Sequence, residues 1–295
     1  MNILAPDQAA FLPGRCTGDV MWEFMADAIG AMNERSCWHV LQTDIAGAFD
    51  RVDRHLLLLR LENCGIRGKL LNLLRNYLSE RRFRVVCGGT SSSLFCESAG
   101  VCQGSCLGPV LWLYFFSPIH SSAVGNAGPG LSTYTFADDH TQGSKDPHLL
   151  TKGEAGAVAF TNGARITMEP AKKVVSTYAN RAPKSQQECA ILLGLRLDAA
   201  LSMSNHFDYV LRQVSVKTAQ LLRLQPYLDT TQLARCFKQY CWPLLEYGLP
   251  GFIHAPDAQL KRLDACQDRF IELTGCTLPS LAWRRFVGMM SWLYK

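Results

Sequence analysis

The sequence predicts an α+β part that is followed by a helical part. Runs rich in β-branched and aromatic residues occur within the first 200 positions, whereas amphipathic helical periodicity dominates after Ser202. With 48% hydrophobic and 19% charged residues, the 295-residue chain can form one large core or two ordinary ones. A boundary near residue 200 is therefore expected between the two parts.

The first part is predicted to begin with a strand that leads to an acidic residue. Residues 38–41 form an apolar run that brings Asp44 to the end of the strand. The stretch 55–82 then has the length and apolar periodicity of helices, interrupted at Gly65 and Gly68.

Turn-forming residues divide the next segments. Residues 83–101 are typical of a β-hairpin whose loop contains Gly88, Gly89 and the following serines. Residues 110–119 are apolar enough to be buried, and periodicity leaves helix and strand both open. The glycine-rich stretch 121–130 is interpreted as a loop.

A second strand, at 131–136, leads to the adjacent acids Asp138 and Asp139. Two more β-rich pieces are predicted at 172–180 and 190–198. Beyond them, three amphipathic helices with basic residues on their polar faces are predicted. They cover residues 205–224, 230–247 with an interruption at Pro243, and 257–273.

Composition limits the partners and the compartment. Thirty Lys and Arg against 25 Asp and Glu give a net charge of +5, which mildly favours a polyanionic partner. No stretch has the pattern of a signal peptide, and none approaches the roughly 18 to 20 apolar residues of a membrane span. An intracellular protein without membrane contact is therefore expected.

The 12 cysteines form no Cys-x-x-Cys pair and no zinc-module spacing with histidine, so we expect reduced and mostly buried thiols. They are Cys16, Cys37, Cys64, Cys87, Cys96, Cys102, Cys106, Cys189, Cys236, Cys241, Cys266 and Cys276.

The adjacent acids Asp138 and Asp139 have two interpretations. Asp is a common turn residue because its side chain bonds nearby backbone amides. Adjacent carboxylates also repel one another unless a cation neutralises them, and an antiparallel sheet can bring Asp44 beside the pair. Three carboxylates suit two Mg²⁺ ions, which act on the attacking and leaving oxygens in phosphoryl transfer. The residues alone leave both interpretations open.

Four segments in register resemble the reverse transcriptases of non-LTR retrotransposons. "TDIAGAFDRVD" resembles their first palm motif, "GVCQGSCLGPVL" their Gly-x-Pro-Gln-Gly-Ser-x-Leu-Gly-Pro motif, "FADD" their catalytic acid pair, and "EPAKKVV" their lysine-bearing segment. "QAAFLPGRCTGDV" is similar to an element of the fingers, and residues 193–275 are similar to the approach to the thumb and the thumb itself. The resemblance runs from about Gln8 to Gly275.

The resemblance implies an α+β right-hand polymerase with partial fingers at 1–36, a palm at 37–200 made of an antiparallel sheet flanked by helices, and a helical thumb-like region at 201–295. It implies RNA-directed DNA synthesis by two-metal nucleotidyl transfer, with two Mg²⁺ ions or Mn²⁺ as the substitute. The partners implied are an RNA template with a DNA primer and deoxynucleoside triphosphates, and the location favoured is nuclear.

The resemblance also assigns roles to individual residues. Asp44, Asp138 and Asp139 become metal ligands together with the backbone carbonyl of Ile45. Phe49 becomes the aromatic gate that excludes a ribose 2′-hydroxyl. The remaining assignments are Gln103 and Gly104 at the incoming nucleotide, Lys172 near the departing pyrophosphate, and a phosphate-tracking set of Arg212, Lys217, Arg223, Lys261, Arg262 and Arg269.

Several departures from the family pattern keep alternatives open. Cys102, Gly47 and His140 replace the usual proline, basic residue and threonine, and glycines at 143, 153, 156 and 163 predict a short or poorly formed palm helix. The sequence begins within the fingers, so we expect a fragment of an element, with missing fingers or endonuclease on another segment or chain. The alternatives are an inactive nucleic-acid-binding remnant, a polymerase adapted to another template, and an unrelated phosphotransferase.

Overall fold

Three of the strands in the largest sheet are antiparallel neighbours. The computed structural model describes residues 4–79, 81–97, 99–180 and 190–294. The sheet has the order β6-β7-β1-β8, with antiparallel pairing of β6 with β7 and of β7 with β1. Its strands are β1 (Trp38–Thr43), β6 (Ser132–Phe136), β7 (Asp139–Ser144) and β8 (Val174–Tyr178). The predicted strands around Asp44 and the acid pair are confirmed.

Contact density divides the chain into two compact units. Unit 1 comprises Met1–Val20 with His39–Val175, and unit 2 comprises Met21–Trp38 with Ser176–Lys295. The helices are α1 (Thr17–Asn33), α2 (Arg54–Asn63), α3 (Gly68–Leu78), α4 (Gly108–Phe116), α5 (Pro118–Ala127), α6 (Pro147–Ala164), α7 (Ser204–Arg223), α8 (Thr230–Tyr240), α9 (Trp242–Glu246), α10 (Asp257–Thr274) and α11 (Leu281–Leu293). The predicted division into fingers, palm and thumb stays a prediction.

The core of unit 1 is built from aromatic and aliphatic side chains of its helices. Trp112, Phe115 and Phe116 of α4 are fully buried and meet Leu57 of α2 and Phe160 of α6 in one cluster. The apolar run at 110–119 is therefore helical, because six of the nine residues of α4 are buried on several sides. A helix that is apolar around most of its circumference has no strong periodicity to reveal it.

The predicted loop at 121–130 is wrong, because most of it belongs to α5. The predicted weakness of the following helix is wrong as well, since α6 runs unbroken for 18 residues. The glycines of α6 allow close packing against its neighbours. A Cβ at Gly156 would lie 2.2 Å from the Ser122 carbonyl oxygen of α5, and the Ser122 hydroxyl donates to the Gly156 carbonyl at 2.9 Å. Close helix packing thus offsets the intrinsic cost of glycine.

A narrow ribbon of four short strands projects from unit 1. β2 (Arg81–Phe83) pairs with β5 (Phe95–Glu97), and β3 (Val86–Cys87) pairs with β4 (Thr90–Ser91). Gly88 and Gly89 have φ of +57° and +81°, as a two-residue type I′ turn requires. The predicted hairpin is confirmed, with its turn made by the two glycines alone.

Arg54 fastens the base of this ribbon to α2. Its guanidinium donates to the carbonyl oxygens of Glu97, Ala99 and Gly100 at 2.7, 2.6 and 2.8 Å, and to the Glu97 carboxylate at 3.1 Å. The Arg54 side chain is only 10% exposed. Hydrogen bonds from a charged donor are among the stronger ones in a protein.

Arg54→Met is therefore expected to lower the free energy of unfolding by about 3 kcal/mol. Arg54→Lys should recover only part of the loss because an ammonium cannot fork to three carbonyls. Urea unfolding followed by circular dichroism measures the change. Arg75→Met is the matched control, since Arg75 is exposed and, among the described residues, its side chain bonds Asn72 of the same helix. An equal loss in both variants would contradict the anchoring role.

Unit 2 contains one small hairpin and a group of helices. The hairpin joins β9 (Ala190–Leu192) to β10 (Leu195–Leu197). The helices α7, α8 and α10 match the predicted helices to within about one residue at their starts. A break at Cys241 separates α8 from α9, two residues before Pro243. Stacked Phe237 and Phe270, with ring centroids 4.6 Å apart, lie in the core of this unit.

The expectation of mostly buried thiols is wrong. All 11 cysteines in the described residues are free, but only Cys241 and Cys276 are buried, and six are exposed. Several of the exposed thiols lie in the ribbon and in the segment after it, where no core forms. Cys189 lies outside the described residues. Among the described helices, none is both long and apolar enough to cross a membrane.

Candidate functional site

A tight hairpin turn presents the adjacent acids at one end of the unit 1 sheet. Phe136 of β6 pairs with Asp139 of β7, so Ala137 and Asp138 alone form the turn. Ala137 has φ of +57°, which the first central residue of a tight hairpin turn requires. Asp138 therefore lies in the turn itself, and Asp139 is the first residue of the returning strand.

The register between β1 and β7 brings Asp44 to the same place. Thr43 pairs with His140 as the last pair of this ladder, and the Thr43 hydroxyl donates to the His140 carbonyl at 3.0 Å. One further step along this antiparallel register sets Asp44 opposite Asp139. Carboxylates separated by almost a hundred positions in the sequence thus meet at one end of the sheet.

The electrostatics of the three acids reflect this proximity. Partial removal from water, and then the charges of Asp138 and Asp44, raise the pKa of Asp139 to about 6, although the charge of Lys172 acts in the opposite direction. The pKa of Asp138 is also raised, first by burial and then by Asp44, against the opposing effects of its own backbone N–H and of Lys172. The site therefore has excess negative charge that a cation would neutralise.

Lys172 already supplies one positive charge. Its ammonium donates to Oδ2 of Asp44 at 2.5 Å, from a one-turn 3₁₀ helix at Pro170–Lys172. Hydrogen bonding to Asp44 and its charge raise the pKa of Lys172, so the side chain is a cation at neutral pH. Lys172, which the resemblance places near pyrophosphate, thus forms an ion pair with Asp44, which the resemblance assigns to the metal.

The donor set suits a hard divalent ion, although the ligands are not assembled around one point. Within the described part of the chain, no three His, Cys, Asp or Glu side chains are already arranged to hold a metal ion. The acids repel one another, and Asp44 already binds an ammonium group. Both observations indicate that a cation would be accepted beside these carboxylates. An ion at Asp44 would compete with Lys172 for the same oxygen.

The backbone just after β1 forms two hydrogen bonds that do not use the carbonyl of Ile45. Ile45 forms an antiparallel bridge with Met168, in which the Glu169 amide donates to the Asp44 carbonyl at 2.9 Å and the Ala46 amide donates to the Thr167 carbonyl at 3.0 Å. Neither bond uses the carbonyl of Ile45. This geometry fits the role of backbone ligand that the resemblance implies for Ile45.

The residues assigned to the nucleotide lie on two neighbouring segments. Phe49 is half-buried, with its ring centroid 5.4 Å from that of Trp112, and its carbonyl accepts from the Val101 amide at 2.8 Å. The side-chain Nε2 of Gln103 donates to Oδ1 of Asp50, the residue after Phe49, at 3.1 Å. Gly104 has φ of +79°, and a Cβ there would meet no atom within 4 Å. Hydrogen bonds therefore connect the segment of Phe49, the assigned gate, to the segment that carries Gln103 and Gly104.

The basic residues assigned to nucleic acid lie in unit 2, on α7 and α10. Arg262 is engaged in an ion pair, 2.6 Å from Oδ1 of Asp208, so it is the least available of the set. All of them are exposed, namely Arg212, Lys217, Arg223, Lys261, Arg262 and Arg269. Their exposure is compatible with phosphate contact and with ordinary solvated helix surface alike.

Two side chains that hold the acidic turn were not assigned any role from the sequence. Gln8 bonds both the amide and the carbonyl of Ala137, and Trp112 Nε1 donates to the same carbonyl at 2.9 Å. Gln8 begins the segment that resembles the fingers element, which was the only signal in the sequence that could have singled it out. No periodicity connects it with a turn almost 130 positions away.

Comparison with known proteins gives consistent matches. The family model for reverse transcriptase (RNA-dependent DNA polymerase) matches residues 1–197. The RNA-directed DNA polymerase from transposon X-element of Drosophila melanogaster, described as probable, is 29% identical across 93% of this chain. The RNA-directed DNA polymerase from mobile element jockey of Drosophila funebris is 36% identical across 77% of it. The chain spans only 32% and 27% of the lengths of these relatives.

Solved structures show the fold. Telomerase from Candida tropicalis in complex with a TWJ fragment of telomeric RNA matches 98% of this chain and 53% of its own, with 12% identity and a TM-score of 0.53. Telomerase from Candida albicans with the same kind of fragment matches 91% of this chain and 49% of its own, with 11% identity and a TM-score of 0.53. The predicted polymerase fold is thereby confirmed.

Proposed function

The chain belongs to the reverse transcriptase (RNA-dependent DNA polymerase) family, and from that membership we propose that it carries the catalytic centre for RNA-templated DNA synthesis. Its relatives are polymerases of non-LTR mobile elements, as the resemblance implied. In the proposed reaction, the primer 3′-hydroxyl attacks the α-phosphate of a deoxynucleoside triphosphate. A phosphodiester bond forms, and the bond to pyrophosphate breaks.

The observation that carries this proposal is the meeting of Asp44 with Asp138 and Asp139 at the end of β1 and β7. The family depends in general on divalent metal. We infer that these carboxylates and the Ile45 carbonyl hold two Mg²⁺ ions, with Mn²⁺ as the substitute. The ions would supply charge stabilisation for the attacking and leaving oxygens.

Lys172 gives this site a way to remain partly neutral before the ions arrive. Its ammonium balances Asp44 in the free protein. Since the Lys172 side chain is 65% exposed, it is free to leave Asp44 and to meet the negative charge of departing pyrophosphate. Such a movement would allow Lys172 to pair with Asp44 in the free protein and to act near pyrophosphate during the reaction.

Primer extension tests the proposal directly. The purified chain is incubated with an RNA template, an annealed DNA primer, Mg²⁺ and deoxynucleoside triphosphates, beside the Asp138→Asn, Asp139→Asn variant. Extension that is lost in the variant would support the assignment. Extension by both proteins would overturn the metal-ligand roles of the two acids.

A second candidate function is nucleic-acid binding without turnover. It is favoured by the ion pair between Lys172 and Asp44 and by ligands that are not assembled around one point. The exposed basic residues of α7 and α10 would then provide salt-dependent contacts with phosphates. No extension by either protein, with the template and primer still bound, would identify this function.

The partners and the location proposed follow from family membership. We infer an RNA template with a DNA primer as the macromolecular partner and a nuclear site of action. A filter-binding titration over a range of salt concentrations measures the first, because each phosphate contact adds to the salt dependence. Replacement of Arg212 and Arg223 by alanine should reduce that dependence.

Phe49→Val is expected to raise incorporation of ribonucleotides relative to deoxynucleotides by about 10- to 100-fold. The smaller side chain would leave room for a 2′-hydroxyl, whereas Phe49 as it stands packs beside Trp112 and is only half-buried. Single-nucleotide extension with each substrate measures the ratio. Phe11→Val is the control, since the Phe11 ring touches Phe49 edge-on but is assigned no role at the nucleotide. An unchanged ratio in Phe49→Val would remove the gate assignment.

A further inference from the structure

The segment around Gln8 joins the edge of the unit 1 sheet beside the strand that leads to the acidic turn. Gln8 forms a parallel bridge with Thr135 of β6. The Ala9 amide donates to the Thr135 carbonyl at 3.1 Å, and the Thr135 amide donates to the Asp7 carbonyl at 3.3 Å. The segment therefore has a fixed position relative to β6 through main-chain bonds.

The side chain of Asp7 fastens this segment a second time. Its Oδ2 accepts a hydrogen bond from the Thr135 hydroxyl at 2.7 Å, and its Oδ1 lies 3.2 Å from Nδ1 of His120. Asp7 is 7% exposed, so these contacts are shielded from water. A buried and paired carboxylate at the neighbouring position restricts the movement of Gln8.

From that position, the side-chain amide of Gln8 bonds the backbone of one residue of the turn on both sides of its Cα. Its Oε1 accepts from the Ala137 amide at 3.1 Å and from the Ala10 amide at 2.9 Å, and its Nε2 donates to the Ala137 carbonyl at 3.3 Å. Gln8 is 2% exposed, so water does not compete for these bonds. A single side chain thus engages both polar groups of the residue that precedes Asp138.

The residue so held has a backbone conformation that needs support. Ala137 has φ of +57°, and a residue with a Cβ disfavours that region by about 1 to 2 kcal/mol. Trp112 fixes only the carbonyl of Ala137, whereas the amide has Gln8 as its partner. Without Gln8, the Ala137 amide would lose this partner and Trp112 alone would hold the turn through the carbonyl, immediately before Asp138.

We propose that Gln8 is a positioning residue that holds the turn carrying Asp138 and Asp139 by bonding both polar groups of Ala137. The catalytic consequence rests on the proposed polymerase function. A displacement of about 1 Å in a reacting group can lower a rate about 100-fold. Because Gln8 is 2% exposed and its side chain bonds the backbone of Ala10 and Ala137, its effect is exerted through the turn.

Gln8→Met is the principal variant because it keeps the length and apolar stem of glutamine but removes all three bonds. Gln8→Glu keeps the acceptor for the Ala137 amide and loses the donor to its carbonyl. Gln267→Met is the matched control in unit 2. Gln267 is also 2% exposed and bonds through both atoms of its amide, to Trp242 Nε1 and to the Pro279 carbonyl.

Hydrogen exchange provides a readout that does not depend on activity. In Gln8→Met, the Ala137 amide should exchange about 10- to 100-fold faster than in the unaltered protein, while the amides of β1 keep their rates. Gln8→Glu should restore the protection of Ala137. Unchanged exchange of Ala137 in Gln8→Met would overturn the proposal.

Binding of Mn²⁺, followed by the resonance of the free ion, provides a second readout. Gln8→Met should weaken it at least about threefold, and Gln267→Met should leave it unchanged. In primer extension, Gln8→Met should lower kcat about 10- to 100-fold and leave KM for the deoxynucleotide within about threefold. If Gln8→Met and Gln267→Met changed Mn²⁺ binding and primer extension equally, Gln8 would be an ordinary core residue and the proposal would be overturned.

The three readouts separate the two proposals. A wild-type chain that extends no primer would count against the proposed function, and exchange and Mn²⁺ binding would then decide the role of Gln8. A wild-type chain that extends primers, with Gln8→Met equally active, would retain the function and overturn the positioning role.

Discussion

Asp139→Asn is expected to unfold at a higher temperature than the unaltered chain in metal-free buffer at pH 7, and to lose primer extension at least about 1000-fold. Both effects have one cause. The native environment disfavours the charge on Asp139, which raises its pKa to about 6. The same charge is what a divalent ion would bind, and about 4 kcal/mol of lost transition-state stabilisation corresponds to this factor in rate.

The pH dependence of the stability follows from the direction of the shift. The pKa of Asp139 is about 6 in the folded chain against an ordinary value of 3.8, so the folded state binds more protons between these values. The unaltered chain therefore loses stability as the pH rises from about 4 to about 6. The advantage of Asp139→Asn should grow over this window and disappear below it.

Thermal unfolding at pH 4, 5, 6 and 7, with and without Mg²⁺, measures these changes. Mg²⁺ should raise the melting temperature of the unaltered chain at pH 7 and have a smaller effect on the variant. Asp53→Asn is the control of opposite sign. Asp53 caps α2 and pairs with Arg165, and its pKa is lowered despite the opposing effect of burial. A less stable Asp139→Asn at pH 7 would contradict the expected repulsion.

Gly156→Ala is expected to lower the free energy of unfolding by about 2 to 3 kcal/mol, although alanine is the better helix former. The added Cβ would lie 2.2 Å from the Ser122 carbonyl oxygen and 2.9 Å from Cβ of Asn126. Backbone atoms cannot rotate away, so α5 and α6 would have to separate. The bond between the Ser122 hydroxyl and the Gly156 carbonyl would weaken with that separation.

Gly163→Ala on the same helix is the matched control. Nothing lies within 4 Å of a Cβ built at Gly163, and this substitution should raise stability by up to about 1 kcal/mol. Chemical denaturation of both variants gives the two changes with opposite signs. A stabilised Gly156→Ala would show that α5 and α6 do not pack as closely as described.

The sequence was sufficient to predict the elements whose pattern is local. Apolar runs ending in acids located β1, β6 and the turn, and periodicity located α7, α8 and α10. The hairpin at 83–101 was evident because glycines and serines separate two β-prone runs, although its loop is shorter than predicted and consists of Gly88 and Gly89. These predictions are confirmed because each depends on neighbouring residues alone.

The errors arose where distant segments decide the structure. The glycines of α6 suggested a weak helix, yet at Gly153 and Gly156 they are required by atoms of Leu131, Gln142 and Ser122. The thiols were expected to be buried because free cysteine usually is, yet several lie on a ribbon with no core. α11 was not predicted, although Ser280 caps it by accepting from the Trp283 amide.

The candidate site could be predicted in its members but not in its supports. Family motifs named Asp44, Asp138, Asp139 and Lys172, and their roles stay predictions. The ion pair of Lys172 with Asp44 could not be predicted, because it depends on the bridge between Ile45 and Met168 and on the one-turn helix that follows Met168. The support of the turn by Gln8 required the pairing of residues almost 130 positions apart.

The two-residue turn and the ladder behind it also determine which length changes this chain can tolerate. Inserting or deleting one codon between Phe136 and His140 would shift the register of β7 by one residue, so that its side chains change faces and Asp139 no longer lies opposite Asp44. A change of two codons would keep the faces but lengthen or abolish the turn. An intact spacing from Phe136 to His140 is therefore a condition that the proposed site sets on any variant of this chain, independently of which residues occupy the turn.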